Sequence, residues 1–273
     1  MSMADRLGNL RNSLSIGAGP SGKLAVARLI AAGRRGSSTE PRRIPVTRFG
    51  DVWMRPGSTD LSNSAAYFGL DLFEPPPELR GKDLSLLCEL GSNMGGCLVG
   101  LATTYPGARV LGVEPDPENA ETARRNTERF GERVRVEQAA VWDQPGSVGV
   151  DRGTGRGEHG IVIRESSGAD VTVPARTIDE LLESFAPGEI FDYIHVTMEG
   201  SEERVFAAGG EWPKRVRSMR VEAHPYYDYP IERCIEQMEA LGFRAWAETE
   251  PPDKWVYAVR DELLGESSSQ TAS

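Results

Sequence analysis

The run LSLLCELGSNMGG at residues 84–96 decides the fold, because it changes character at one point. Up to Leu90 it is a short, mainly apolar stretch of the kind that forms a strand buried on both faces. Gly91, Gly95 and Gly96 then crowd a turn, and the chain continues as a helix from about Met94 to Thr104. Glycines let the backbone come close to a ligand, and a helix start offers unpaired N–H donors. Working outward, ARVLGVE (108–114) reads as a second strand and RVRVEQAAV (133–141) as a third. Between them DPENAETARRNTERF (116–130) reads as a helix whose opening acids suit its positive end. Strand, helix, strand, helix, strand implies a parallel sheet with right-handed crossovers.

Further along, the helices TIDELLESF (177–185), 201–208 and IERCIEQMEALG (231–242) alternate with the strands FDYIHVTM (191–198) and VRSMRVEAH (216–224). The strands FRAWAET (243–249) and KWVYAVR (254–260) finish the sheet. The segment 142–176 is less regular: the glycine-rich DRGTGRGEHG (151–160) between short alternating runs predicts an inserted hairpin or ribbon. Toward the amino terminus, 1–45 reads as a helical or mobile extension with a linker, and 46–82 as a cover segment carrying Trp53, Tyr67 and Phe68. The expected division is therefore 1–45 extension, 46–82 cover, 83–262 main α/β domain and 263–273 flexible tail.

At 273 residues and 39% hydrophobic, the chain has enough apolar material for a large core, which excludes wholesale disorder. A net charge of −10 argues against a broad electrostatic grip on nucleic acid and favours a small-molecule partner. Cys88, Cys97 and Cys234 form no CxxC pair and no disulfide framework, so the expected setting is reducing and no metal site is expected. No uninterrupted apolar run offers a secretory signal or a membrane span, and a cytoplasmic protein is the expectation, with self-association left open.

Two glycine motifs compete. SIGAGPSGK (15–23) spells GxGxxG and most of a phosphate loop, but no buried strand precedes it and Leu24 stands where a magnesium-binding hydroxyl belongs, so it reads as a plain turn. CELGSNMGG (88–96) has the right context, and Glu114 ends the next strand, where a carboxylate accepts both hydroxyls of a ribose. Glu89 separates the nucleoside cofactors: a carboxylate at the turn repels a pyrophosphate but attracts the cationic amino acid end of S-adenosylmethionine.

These segments, in this order, resemble the FkbM-like methyltransferases within the class I S-adenosylmethionine-dependent superfamily. The resemblance runs from about Asp51 to Phe243 and includes MRPGSTD (54–60), CELGSNMGG, VLGVEPDPENAETARRN (110–126), VEQAAVWDQPG (136–146), ARTIDELL (175–182), DYIHVTMEGSEERVFAAGG (192–210) and MRVEAHP (219–225). It implies a Rossmann-like three-layer α/β fold, with a mostly parallel seven-stranded sheet and an antiparallel last strand. It also implies that Glu89, Gly91, Ser92, Asn93 and Gly95 hold the methionine part of the cofactor, Glu114 the ribose, and Gln138 with Ala139 the adenine. Trp142 would stack on that ring or sit in the core. Family members carry a KIDVEG-like run; here His195 takes the lysine position and Thr197 the aspartate position, while Glu199 and Gly200 are kept.

At the mouth, His195, Thr197 and Glu199 alternate as one strand ends, and Glu222 and His224 do the same on its neighbour. The expected chemistry is removal of a hydroxyl proton by His195 or His224, with Glu199 or Glu222 orienting the imidazole or gripping the acceptor. Thr197, Tyr226 and Tyr227 are the expected acceptor contacts. The expected activity is O-methylation of a secondary metabolite or sugar-containing intermediate. N-methylation, a non-catalytic cofactor-binding interaction protein and an NAD-linked reductase are the alternatives.

Overall fold

The computed structural model describes residues 12–36, 39–151, 162–165, 171–249 and 254–264, with backbone alone at 151 and 162–165. Most of the glycine-rich 151–160, with His159, lies outside the described residues, as do 1–11 and 265–273.

The central strand β3 (Leu86–Leu90) is buried along its whole length, as its apolar run requires. Beside it on one side lie β4 (Arg109–Val113) and β5 (Val134–Glu137), all parallel. On the other side lie β10 (Tyr193–Val196) and β11 (Ser218–Glu222), also parallel, followed by β13 (Trp255–Val259) and β12 (Arg244–Ala247). The sheet order is β12-β13-β11-β10-β3-β4-β5, with β13 antiparallel to both neighbours. Strand order therefore reverses between β3 and β10, and the crevice beyond their carboxyl ends is where such sheets bind ligands.

The crossovers are α3 (Gly96–Thr104), α4 (Pro117–Thr127), α5 (Ile178–Phe185), α6 (Glu202–Ala207) and α7 (Ile231–Ala240). Their starts are set by local chemistry. The Asp116 carboxylate accepts from the backbone N–H groups of Glu118 and Asn119 to open α4, and Thr177 and Glu180 close a reciprocal capping box at α5. Strand alternation sends Cys88 and Leu90 into the layer of Leu181, Ile194, Val205 and Met238, and Leu87 into the opposite layer with Met94, Leu98, Val110 and Tyr193.

The third-strand run 133–141 is not one strand. Its pairing with β4 runs as far as Ala139 N, which donates to Glu114 O at 3.2 Å, and the chain then leaves the sheet. Its end, β6 (Ala140–Val141), joins β7 (Gly146–Asp151), β8 (Val162–Glu165) and β9 (Val171–Arg176) in a separate sheet of order β6-β9-β7-β8. The expected ribbon is thus a four-stranded sheet that also draws in the end of the third strand.

The amino-terminal segments cover the second apolar layer. Helix α1 (Gly19–Arg35) buries Val26 and Leu29 beside the hairpin β1 (Arg42–Val46) and β2 (Gly50–Met54), and α2 (Asp60–Leu70) follows. Strand β1 runs across the expected boundary at 45/46, so extension and cover share one hairpin. Helix α8 (Asp261–Leu264) likewise crosses the boundary at 262/263. Gly17 and Gly22 of SIGAGPSGK serve packing: a Cβ on Gly17 would stand 2.6 Å from the Gly22 carbonyl carbon, and one on Gly22 2.6 Å from Pro45 O. Among the described residues, no helix is long and apolar enough to cross a membrane.

Candidate active site

A cavity of about 250 Å³ opens at the reversal point. Its wall combines the turn after β3 (Gly91, Asn93), the end of β4 (Val113, Glu114, Pro115), Asn119 of α4 and Val141. Facing them are Thr197, Met198, Glu199 and Ser201 beyond β10, Glu222 of β11, Lys254 and Trp255 at β13, and Ser62, Asn63, Ala66 and Tyr67 of α2.

The turn is held from two sides. Gly91 N and Ser92 N both donate to Val113 O at 2.9 Å, and Asn93 N donates to Glu114 Oε2 at 2.7 Å. Gly91 sits at φ +92, where a Cβ would overlap the Thr197 carbonyl, so no side chain fits between the turn and β10. Glu114 Oε1 accepts from Asp116 N at 2.9 Å and from Asn119 Nδ2 at 3.4 Å. Burial pushes the Glu114 carboxyl up to about 7, against the pull of these donors.

Glu89 and His195 are one layer below the cavity wall. They are paired across β3 and β10, both fully buried, with His195 Nδ1 3.7 Å from Glu89 Oε1. Burial raises the Glu89 carboxyl to about 8. Burial, then the Arg220 cation on β11, lowers the His195 imidazole to about 3. The rings of Tyr67, Tyr193 and Trp255 enclose His195 at centroid distances of 5.9, 6.3 and 5.1 Å. The expectation that His195 stands at the mouth is therefore corrected: Tyr67 and Trp255 from two distant segments, with Tyr193 of its own strand, seal it, and it lacks access to an acceptor. Glu89 likewise is beneath the turn and not on the wall, and neither of its oxygens has a well-aligned hydrogen-bond partner among the described residues.

His224 is at the strand ends, as expected, but behind the carboxylates. Its Nδ1 lies 2.9 Å from Glu202 Oε1, and its Nε2 lies 3.7 Å from Glu222 Oε1 and 3.9 Å from Glu199 Oε2. Burial is the largest influence on its imidazole and lowers it, yet Glu202 and Glu199 together outweigh burial and leave it raised. Burial also raises the Glu199 carboxyl, with the His224 charge opposing. Lys254 pairs with Glu222. Glu202, fully buried, accepts from Met198 N at 2.9 Å and Gly200 N at 2.8 Å, which fixes the loop that carries Glu199.

The remaining expectations divide. Gly91, Asn93, Glu114, Thr197, Glu199 and Glu222 converge on the cavity. Ser92 is buried under the turn, its hydroxyl near Glu89 O and Val113 O, and Gly95 caps α3. Gln138 and Ala139 form the bend after β5 and are not on this wall; neither is Trp142, whose ring lies under the Arg204 guanidinium at 4.6 Å beside a second hollow. Val141, two residues beyond Ala139, reaches the cavity instead. Tyr227 packs its ring where a Cβ on Gly200 would come within 2.6 Å, and Tyr226 is 84% exposed. Sequence reading missed Asn119, in the first turn of α4, and the α2 and β13 contributors, which reach the site only through tertiary folding.

The family model for the methyltransferase FkbM domain matches residues 97–245, more than half of the chain. No curated protein matches. Among solved structures, the chain is similar to the METTL16 methyltransferase domain, at 12% identity and a TM-score of 0.45 over 94% of this chain and 89% of that one. It is also similar to precorrin-6y C5,15-methyltransferase from Geobacter metallireducens, at 14% identity and a TM-score of 0.39 over 67% of this chain and 82% of that one. A methyltransferase from Pyrococcus furiosus is 16% identical, with a TM-score of 0.37 over 72% and 91%. With a matching family domain, a sheet whose order reverses at β3 and β10, and a glycine turn beside a buried acid at that point, the chain belongs to the FkbM family of S-adenosylmethionine-dependent methyltransferases.

Proposed function

We propose that the chain methylates a hydroxyl of a small-molecule acceptor, a secondary metabolite or a sugar-containing intermediate, at the cavity between β3, β4 and β10. The observation that carries this reading is that Glu199 and Glu222 line the same cavity as Gly91 and Glu114, so one chamber holds both a cofactor handle and proton-accepting groups.

The residues fit S-adenosylmethionine. Glu114 presents a buried carboxylate where a ribose diol needs an acceptor, and Gly91 and Asn93 of the turn line the cavity beside it. Val113, Val141 and Met198 supply apolar surface. When bound, the cofactor supplies an electrophilic methyl carbon on a positively charged sulfur, so the chain has to align the acceptor and manage its proton.

On the wall, Glu222 is already engaged by Lys254, which leaves Glu199 to face the acceptor. As the acceptor oxygen gains its methyl group, its proton passes to the Glu199 carboxylate. A carboxyl raised by burial is a better base near neutrality than an exposed one. His224, held by Glu202, is the positioning residue: its protonated form, which Glu202 and Glu199 favour, steadies the carboxylates of Glu199 and Glu222 before transfer. Ser62, Asn63 and Tyr67 form the acceptor's opposite wall.

The test is single-turnover methyl transfer at saturating cofactor, from pH 6 to 9, over hydroxyl and amine acceptors. Glu199→Gln is expected to lower the rate about 100-fold, the usual scale of a lost general base. His224→Asn should lower it less and shift the pH profile. A Glu199→Gln enzyme with the wild-type rate and profile would sink the base assignment, and turnover of amines alone would replace O-methylation with N-methylation.

A further inference from the structure

Beneath the glycine turn, ligand-bearing side chains from three segments meet. Glu89 stands near the end of β3, Cys97 in the first turn of α3, and His195 opposite Glu89 on β10. All three are fully buried, and one ligand atom from each lies within 4.8 Å of the other two. Neither carboxylate oxygen of Glu89 and neither ring nitrogen of His195 has a well-aligned hydrogen-bond partner among the described residues. Buried polar atoms without partners are rare, because each bears the cost of leaving water with nothing in return. Four of them in one cluster call for a common partner.

The distances suit a metal ion better than a hydrogen bond. His195 Nδ1 and Glu89 Oε1 are 3.7 Å apart, too far for a hydrogen bond. Two ligands of one tetrahedral zinc ion, each about 2.0–2.3 Å from the metal, stand about 3.3–3.6 Å from each other. Charge balances as well: a carboxylate and a thiolate carry two negative charges and an imidazole none, so a divalent ion leaves the buried cluster neutral. Thiolate and imidazole together favour zinc over magnesium or calcium, which take oxygen ligands. Arg220, beside His195 on β11, has its charge answered by Glu248 at 2.6 Å, with the Leu72 carbonyl accepting from the same guanidinium. The cysteine spacing hides this cluster, since its ligands come from β3, α3 and β10 and only one of them is a cysteine.

We propose that Glu89, Cys97 and His195 bind a zinc ion that pins β3, α3 and β10 together under the cofactor turn. The ion is structural. Glu89 and His195 each stand two residues before a cavity residue, Gly91 and Thr197, while the cluster itself is closed to solvent. Binding releases the Cys97 thiol proton to solvent, and because no ligand atom is exposed the ion enters as the chain folds.

The test unfolds the full chain in denaturant with a chelator and refolds it with zinc or cobalt(II), alongside Cys97→Ser, His195→Gln and the control Cys234→Ala. Wild type is expected to keep about one ion per chain through gel filtration. Its cobalt form should show thiolate-to-metal charge transfer in the near ultraviolet and the visible bands of a four-coordinate ion. Cys97→Ser should abolish the charge transfer, and His195→Gln should weaken zinc binding more than about 100-fold, beyond the cost of losing a group that merely orients a ligand. Cys234→Ala should match wild type. Refolded wild type without stoichiometric metal overturns the proposal, as does a cobalt spectrum without charge transfer, or one lost in Cys234→Ala and kept in Cys97→Ser. If either ligand variant fails to fold, the metal content and cobalt spectrum of wild type decide alone.

Discussion

At the scale of single residues, the site depends on how close two backbones can come. Gly91 holds a positive φ against the Thr197 carbonyl, so any side chain there must both strain the turn and push β10 away from β3. Gly91→Ala is expected to cost about 2–3 kcal/mol of stability, read as a lower denaturation midpoint with unchanged slope; a cost below about 0.5 kcal/mol would contradict the close approach. Gly91 and Glu114 were legible in sequence because both lie at strand ends, where spacing alone predicts position. His195 was not. Alternation places it correctly on the face shared with Glu89 and Arg220, but its depth is set by Tyr67 and Trp255, which no local pattern links to it. His224 was legible as a strand-end residue, and what it lacked was Glu202, a helix-start acid that grips both the loop and the imidazole.

At the scale of elements, boundaries follow satisfied backbone groups more closely than apolar runs. Helix α5 begins where Thr177 Oγ1 accepts from Glu180 N at 3.2 Å and Glu180 Oε2 accepts from Thr177 N at 3.0 Å. Thr177→Ala removes one half of that exchange and is expected to lower stability by about 1 kcal/mol in denaturant unfolding, with Thr177→Ser near neutral. If both variants matched wild type, the box would be ornamental. The third strand shows the opposite case: RVRVEQAAV has an unbroken strand pattern, yet it divides, its pairing with β4 ending at the Ala139 N–Glu114 O bond and Ala140 and Val141 pairing with β9. That division displaces Gln138 and Ala139 from the cavity and puts Val141 there. The inserted ribbon was legible, but its pairing with the end of the third strand was not, because β9 lies outside any local window.

For the molecule as a whole, two apolar layers sandwich one twisted sheet, and the amino-terminal segments complete the second layer. Ile16, Val26, Leu29 and Ile44 pack with Leu87 and Val110, so the extension belongs to the same core as the central strands. Helix α2 brings Tyr67 to the cavity, and the carboxyl ends of β3, β4, β10 and β11 bring the rest. A parallel sheet was predictable from alternation of strand and helix; its strand order and the closing of its mouth by a distant segment were not.

The central claim is that this mouth binds S-adenosylmethionine through Glu114, and calorimetric titration at pH 8 with S-adenosylmethionine, S-adenosylhomocysteine and NAD tests it most directly. Since burial holds the Glu114 carboxyl at about 7, affinity should fall as pH drops through that value and the carboxylate takes up its proton. The account predicts that both adenosyl ligands bind, that NAD does not, and that Glu114→Ala loses at least about 30-fold in affinity, in line with the cost of removing a charge-assisted hydrogen-bond pair. Binding of NAD alone, or adenosyl binding that Glu114→Ala leaves intact, would contradict it.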